Sequence, residues 1–365
     1  MRLESRHVSD AQATTVTQGA DPDIVGPYLA DVLDEPVWKG CHVELVSGGK
    51  SNLTYLVTAG ERELILRRPP LGHVLPTAHD MTREFTVLKA LGPTEVPVPE
   101  PLHLCTDAAV LGAPFYVMER LRGLVVRGSF PPGYADDPSD ARKIGEAVID
   151  TLIAIHAVDW HAVGLGEFGH PDGFLSRQLR RWREQWERSL TREMPAMDDL
   201  LVALEEKLPE SEAATIVHGD FRTDNCVLDA SVPGRVVGVL DWEMSTIGDP
   251  LTDLGLTMCY WTERKDSSQL RDAFSDITVT ATEGFPSRVE LVERYSALSG
   301  RDVTDIAWYW AFGFFKLAVV LEGIHARYLQ GKTVGAGFER VGDSVAPLVM
   351  VSSFVLERGE VAPIG

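Results

Sequence analysis

Cysteine is scarce in this chain. Four occur in 365 residues, Cys41, Cys105, Cys226 and Cys259, and none forms a CxxC pair or falls at zinc-ligand spacing. That argues against a disulfide framework or a zinc finger and predicts reduced thiols. Positive charge is short as well: 34 Lys and Arg stand against 54 Asp and Glu, for a formal net charge of −20. This balance argues against non-specific binding to nucleic acid or to an anionic membrane, and for solubility. The stretch MRLESRHVSDAQATTVTQGADPD lacks the apolar core of a signal peptide, and no later run is expected to be long enough to span a bilayer. A cytoplasmic location is the resulting expectation. Internal repeats and low-complexity segments are missing, which argues against solenoids and propellers. Oligomeric state is left open.

What is present is a 44% hydrophobic chain, enough for one large core or two modest ones, and its patterning predicts two lobes. Residues 1–22 are polar and aperiodic and read as a flexible tail. Residues 23–122 open with a helical segment around DIVGPYLADVL. They then change to short β-rich runs, VELVS, NLTYLVT and RELILR, joined by Gly-containing turns. In TAHDMTREFTVLKALG, Met81, Phe85, Leu88 and Leu91 recur at helical spacing and predict a helix with one face on that sheet. PLHLCT and PFYVMER supply two further strands. Over 123–365 the pattern is mainly helical, with long segments at ARKIGEAVIDTLIAIHAV, FLSRQLRRWREQWERSL and SRVELVERYSALSG. The expected class is α+β, a small antiparallel sheet lobe with a helix followed by a larger, mainly helical lobe.

The stretch TIVHGDFRTDNCVLD sets a polar loop between apolar, strand-like flanks. Phosphoryl transfer needs a carboxylate to orient the attacking hydroxyl and accept its proton, and oxygen ligands for the magnesium on the phosphates. Asp220 and Asn225 suit those two roles, and their separation is the D-x-x-x-x-N of a kinase catalytic loop. In RVVGVLDWEMSTIGDP an apolar strand then delivers Asp241 at its end, where a kinase presents its second metal-binding residue.

HGD at 218–220, DWE at 241–243 and GDPLTDLG at 248–255 resemble the aminoglycoside phosphotransferase family, small-molecule kinases with a protein-kinase-like fold. The resemblance implies ATP as co-substrate and Mg2+ as cofactor. Asp220 would be the base, Asn225 and Asp241 the metal ligands, and Asp249 and Asp253 braces for the active-site loops. Asp249, ahead of Pro250, also reads as a simple helix cap. His218 reads as a structural ring. LRRPP, TAHDMTREFTVLKAL, VPVPEPL and LGAPFYVMERLRG are most similar to the kinase-like domains of acyl-CoA dehydrogenase family members ten and eleven, over roughly residues 40–330. That implies an alcohol acceptor such as a hydroxyacyl thioester. An aminoglycoside acceptor, or a catalytically inactive nucleotide-binding regulator, are the alternatives.

On the nucleotide side, Ser47, Gly48, Gly49, Lys50, Ser51 and Asn52 form a turn between strands whose amides would cover phosphates. A Walker A motif is excluded, because Glu44 stands where its first Gly belongs and no helix follows directly. Arg67 takes the place where kinases usually carry a phosphate-binding Lys, with Glu84 on the next helix as its partner and Arg68 as the alternative cation. The backbone from Glu119 to Leu121 reads as the adenine-facing hinge. One basic island remains: Arg177, Arg180, Arg181, Arg183, Arg188 and Arg192 lie within 176–193, with Trp182 and Trp186 one turn apart. It reads as a solvated helix, with Arg180–Glu184 and Glu184–Arg188 pairs and both Trp in the core, or as a site for an anionic acceptor.

Overall fold

The computed structural model describes residues 18–46, 52–71, 80–274, 278–332, 337–362 and 364. The chain divides into two compact units. The first runs to Phe85 and resumes over Pro101–Arg120; the second comprises Thr86–Glu100 and Leu121–Gly365. Residues 47–51 of the proposed phosphate turn, and most of the polar tail, lie outside the described residues.

The first unit opens with helix α1 (Pro22–Val32), started by Asp21, whose carboxylate accepts the Asp23 N–H at 3.0 Å. Strands β1 (His42–Leu45), β2 (Leu53–Ala59) and β3 (Arg62–Arg68) follow, with Gly60 in the left-handed conformation at the β2–β3 turn. Helix α2 (Met81–Leu91), which belongs to this unit up to Phe85, is followed by β4 (Pro101–Cys105), the single-turn helix α3 (Ala108–Leu111) and β5 (Phe115–Glu119). The strands form one antiparallel sheet in the order β1-β2-β3-β5-β4. Alternation along the pleat puts Tyr55, Val57, Leu64, Leu66, Phe115 and Val117 into one core with Val25 and Leu29 of α1. The same alternation separates Arg67 from Arg68.

The second unit is mainly helical. Its helices α4 (Pro138–Ala157), α5 (Phe174–Ser189) and α6 (Pro195–Glu206) precede the short strands β6 (Thr215–Val217), β7 (Cys226–Leu228), β8 (Val236–Val239) and β9 (Thr246–Gly248). Helices α7 (Leu251–Tyr260), α8 (Ser268–Ala273), α9 (Arg288–Ser299), α10 (Ile306–Leu329) and α11 (Val345–Arg358) follow. α7 and α10 approach closely because Gly255 and Gly313 carry no side chain there. A Cβ on Gly255 would sit 2.4 Å from the Tyr309 carbonyl oxygen. By length and composition α10 is apolar enough to cross a membrane, which corrects the expectation that no run approaches that length. Of its apolar stretch 78% is buried inside this unit, so its hydrophobicity is accounted for as the central helix of a packed core.

Candidate active site

The singled-out residues fall into two groups, one in each unit. In the second unit, β6 pairs with β9 and β7 with β8, both antiparallel, and the loop 218–225 links β6 to β7. Cys226 faces Val239 across the β7–β8 ladder, and the Leu240 N–H donates to the Asn225 carbonyl at 2.8 Å. Asn225 and Asp241 therefore emerge at the same end of this ladder.

Asp220 follows a glycine for a steric reason. Gly219 has φ +86°, and a Cβ there would stand 2.5 Å from the Met244 carbonyl oxygen. Asp253 on α7 fixes the loop backbone: it accepts the His218 N–H at 2.6 Å and the Gly219 N–H at 2.8 Å. Behind it, His156 Nε2 lies 3.3 Å from Asp253, and His156 Nδ1 lies 2.8 Å from the Tyr295 hydroxyl. Burial lowers the His156 pKa, so the neutral ring donates to Asp253 and accepts from Tyr295. Burial acts to raise Asp253, but the His156 hydrogen bond and the Gly219 amide help to hold it below its usual value.

His218 ties the two motifs together. Its Nδ1 accepts the Asp220 N–H at 3.2 Å and its Nε2 donates to the Leu240 carbonyl at 2.9 Å. Burial depresses its pKa too, and the ring acts as a neutral strut. Asn225 donates its side-chain nitrogen to the Asp220 carbonyl at 2.8 Å and to Asp220 Oδ2 at 3.3 Å. Asp241 sits in the left-handed region at φ +69°, one of three described non-glycine residues with positive φ, and the place is the end of the strand that would deliver a metal ligand.

The Asp220 carboxyl keeps 28% of its side-chain exposure, and burial pushes its pKa up to about 6. Arg222 opposes that rise, whereas Asp241 and Asp224 reinforce it. Arg222 Nε lies 3.0 Å from Asp224 and 3.6 Å from Asp220, and its guanidinium stacks over Tyr260 at 4.8 Å. Asp249 lies just ahead of α7 and is buried. It accepts the Leu251 N–H at 3.0 Å as a cap of α7, and it also holds the Glu212 N–H at 3.0 Å and the Tyr309 hydroxyl at 2.8 Å.

In the first unit, Arg67 and Glu84 form a buried ion pair at 3.3 Å. Arg68, on the opposite face of β3, donates to the main-chain carbonyls of Gly19 and Leu111. The pleat thus separates a cation paired with α2 from one that ties down backbone. Asn52 is buried. Glu119 ends β5 opposite Leu64, and Arg120 pairs with Glu63 at 2.6 Å. Leu121, in the second unit, fills the space left by the missing side chain of Gly238.

The basic island departs from its expected form. Among the described residues neither Arg180–Glu184 nor Glu184–Arg188 is formed; instead Arg183 bonds Glu205 of α6 at 2.6 Å and Arg177 holds the carbonyls of Asp172 and His170. Helical spacing alone brings two charges near each other, but an exposed pair gains too little to fix two long side chains in one geometry. Trp186 is buried, whereas Trp182 is only half-buried, with Lys316 Nζ 5.4 Å from its ring centroid. Sequence reading passed over His156, Tyr260 and Lys316. Only Lys316 left a signal, as a lone charge in the apolar run from Ile306 to Val320.

Residues 42–284 match the phosphotransferase enzyme family. Mouse acyl-CoA dehydrogenase family member 10 is 37% identical over 336 residues, covering 92% of this chain and 31% of that protein. The chain spans about a third of the length of the curated relatives it matches. A Ralstonia eutropha protein described as a candidate aminoglycoside phosphotransferase has 30% identity and a TM-score of 0.77, covering 93% of this chain and 99% of that one. A ternary complex of a thermostable mutant of aminoglycoside phosphotransferase APH(4)-Ia with AMP-PNP and hygromycin B shares the fold at 15% identity, with a TM-score of 0.57 and coverage of 93% and 99%. The two-lobed, protein-kinase-like α+β architecture expected from the sequence holds, and the chain belongs to the phosphotransferase enzyme family of small-molecule kinases.

Proposed function

We propose that this protein transfers the γ-phosphoryl group of ATP to a hydroxyl of a small molecule, with Asp220 as base and Asn225 and Asp241 as ligands for Mg2+. The observation that carries the reading is the link between Asn225 and Asp220. Asn225 commits its nitrogen to Asp220, which leaves the amide oxygen, the atom a hard cation takes, for the metal. One amide oxygen and one carboxylate at the end of a single ladder suit Mg2+, which retains water and phosphate oxygens in its shell. Asn225 and Asp241 would hold Mg2+, which when bound would supply neutralisation of charge on the transferring phosphate.

Asp220 orients the acceptor hydroxyl and takes its proton. Its neighbour Arg222 keeps the carboxylate ionised against the burial that would protonate it. On the nucleotide side, Arg67, held by Glu84, takes phosphate oxygens as a bidentate donor, and the backbone of Glu119 to Leu121 receives the adenine. Support for ATP comes from the AMP-PNP complex of the APH(4)-Ia relative. Support for a hydroxyacyl thioester acceptor comes from the acyl-CoA chemistry named in the 37% identical relative.

The test incubates the protein with Mg-ATP and hydroxyacyl-CoA, amino-alcohol, sugar and aminoglycoside acceptors and follows phosphate transfer. Transfer to one class, abolished in Asp220→Ala, is expected. Transfer undiminished in Asp220→Ala would exclude the assigned base.

A further inference from the structure

Within the apolar run of α10 one cation is placed unusually. Lys316 follows Phe314 and Phe315 and precedes Leu317, Ala318 and Val319, all buried, yet the lysine is itself half-buried. Its ammonium lies over Trp182 and near enough to Asp220 for each to bias the other's charge. Among the described residues it forms no hydrogen bond and no ion pair.

A cation in a core is ordinarily paired, because leaving it unpaired forfeits its hydration without return. Arg288, a fully buried cation of this unit, obeys that rule: it holds Asp266 through two bonds of 2.8 and 2.6 Å. Lys316 departs from it at a place within electrostatic reach of the candidate base. Of the two carboxylates that act on Lys316, Asp253 is engaged by two loop amides and Asp220 is the candidate base. Around Asp220, Arg222 is held by Asp224 and lies over Tyr260, and Asp241 and Asp224 add negative charge, so Lys316, beside the face of Trp182, is the cation left without an ion-pair partner among the described residues. Beside Lys316 a cationic alcohol would meet repulsion, whereas an oxygen bearing negative or partial negative charge would find the partner that Lys316 lacks.

We propose that Lys316 is the specificity-determining residue for the acceptor, binding a carboxylate or acyl carbonyl oxygen of a hydroxy acid or its thioester while Trp182 packs against the adjoining carbon chain. This rests on the phosphotransferase reading and sharpens it, because it selects hydroxy-acid derivatives over amino alcohols and aminoglycosides. Burial lowers the ammonium's pKa, and Asp253 and Asp220 offset part of that fall.

The test is calorimetric titration of wild type, Lys316→Met and Lys316→Arg with three sets of probes. These are hydroxybutyryl-CoA isomers with the hydroxyl at each chain carbon from the second to the fourth, the corresponding free acids, and ethanolamine with hygromycin B. The expected result is binding of a thioester or free acid that weakens at least about tenfold in Lys316→Met, stays within about threefold in Lys316→Arg, and exceeds that of both amines. The thioester and free-acid arms separate the two sources of the oxygen. Equal binding by wild type and Lys316→Met, preference for an amine, or no binding of any hydroxybutyryl probe overturns the assignment. Should Lys316→Met not fold, Trp182→Leu carries the test: weakened acyl binding upholds the site and unchanged binding overturns it. Phosphate transfer on the same samples keeps the two readings apart. Lys316-dependent binding without transfer sinks the kinase and keeps the acceptor cation; transfer with undiminished binding in Lys316→Met does the reverse.

Discussion

Asp253 accepts the main-chain N–H of His218 at 2.6 Å, so a carboxylate on helix α7 sets the backbone from which Asp220 projects. The neighbouring Gly219 N–H donates to its other oxygen at 2.8 Å. An amide in that place would offer one acceptor oxygen and turn an N–H2 toward a donor. Asp253→Asn is therefore expected to destabilise the fold by about 2–4 kcal/mol. Phosphate transfer should fall at least about tenfold through misplacement of the base. Thermal unfolding and steady-state kinetics check both; unchanged stability would show that the loop is held by other contacts.

Gly219→Ala tests the steric half of the same device. Its positive φ and the 2.5 Å approach to Met244 leave no room for a methyl group. A loss of about 2 kcal/mol or more in denaturant unfolding is expected, with no comparable effect of Gly300→Ala, whose Cβ would meet open space and which bears only the conformational strain of φ +71°.

Asp220 has a stability signature of its own in the metal-free protein. Its folded pKa of about 6 exceeds the ordinary 3.8, so between those values the folded chain retains a proton that the unfolded chain has released. Stability falls as pH rises through that window, and the penalty is complete above about 6. Asp220→Asn is expected to gain up to roughly 2 kcal/mol near neutral pH, and nothing below the ordinary carboxylate range. Urea unfolding in the presence of a chelator across that window measures it; a gain that does not depend on pH would contradict the assigned cause.

The opposite faces of β3 give Arg67 and Arg68 different consequences. Arg67→Met leaves Glu84 buried without its ion-pair partner and should cost about 3 kcal/mol, with nucleotide affinity reduced at least about tenfold. Arg68→Met releases the carbonyls of Gly19 and Leu111, and should cost stability while leaving the affinity of the folded protein within about threefold. Calorimetric titration with AMP-PNP separates them; equal losses of affinity would place both cations on the nucleotide.

Much of this was legible before any coordinates. Alternating apolar residues gave the strands, and D-x-x-x-x-N followed by a strand-end Asp marked the loop, because those positions are dictated by local periodicity and by metal chemistry. The partners of Asp253 were not legible. His156 reaches it from α4, itself held by Tyr295 of α9, at sequence separations that no local pattern encodes. The choice between Arg67 and Arg68 depended on which face of the pleat carries the α1 core, a question of register. The Arg-rich helix misled for the opposite reason. Its i,i+4 spacing suggested Arg180–Glu184 and Glu184–Arg188 pairs, whereas the ion pair formed on this helix is a tertiary one, Arg183 with Glu205.

The most direct test of the account is a count of products from one reaction with Mg-ATP and the best acceptor, comparing ADP formed with phosphorylated acceptor formed. The account predicts one ADP for each phosphorylated hydroxyl in the wild type, no ADP without acceptor, and neither product in Asp220→Ala. ADP and inorganic phosphate released without acceptor, or phosphorylated acceptor formed as readily by Asp220→Ala, would contradict it.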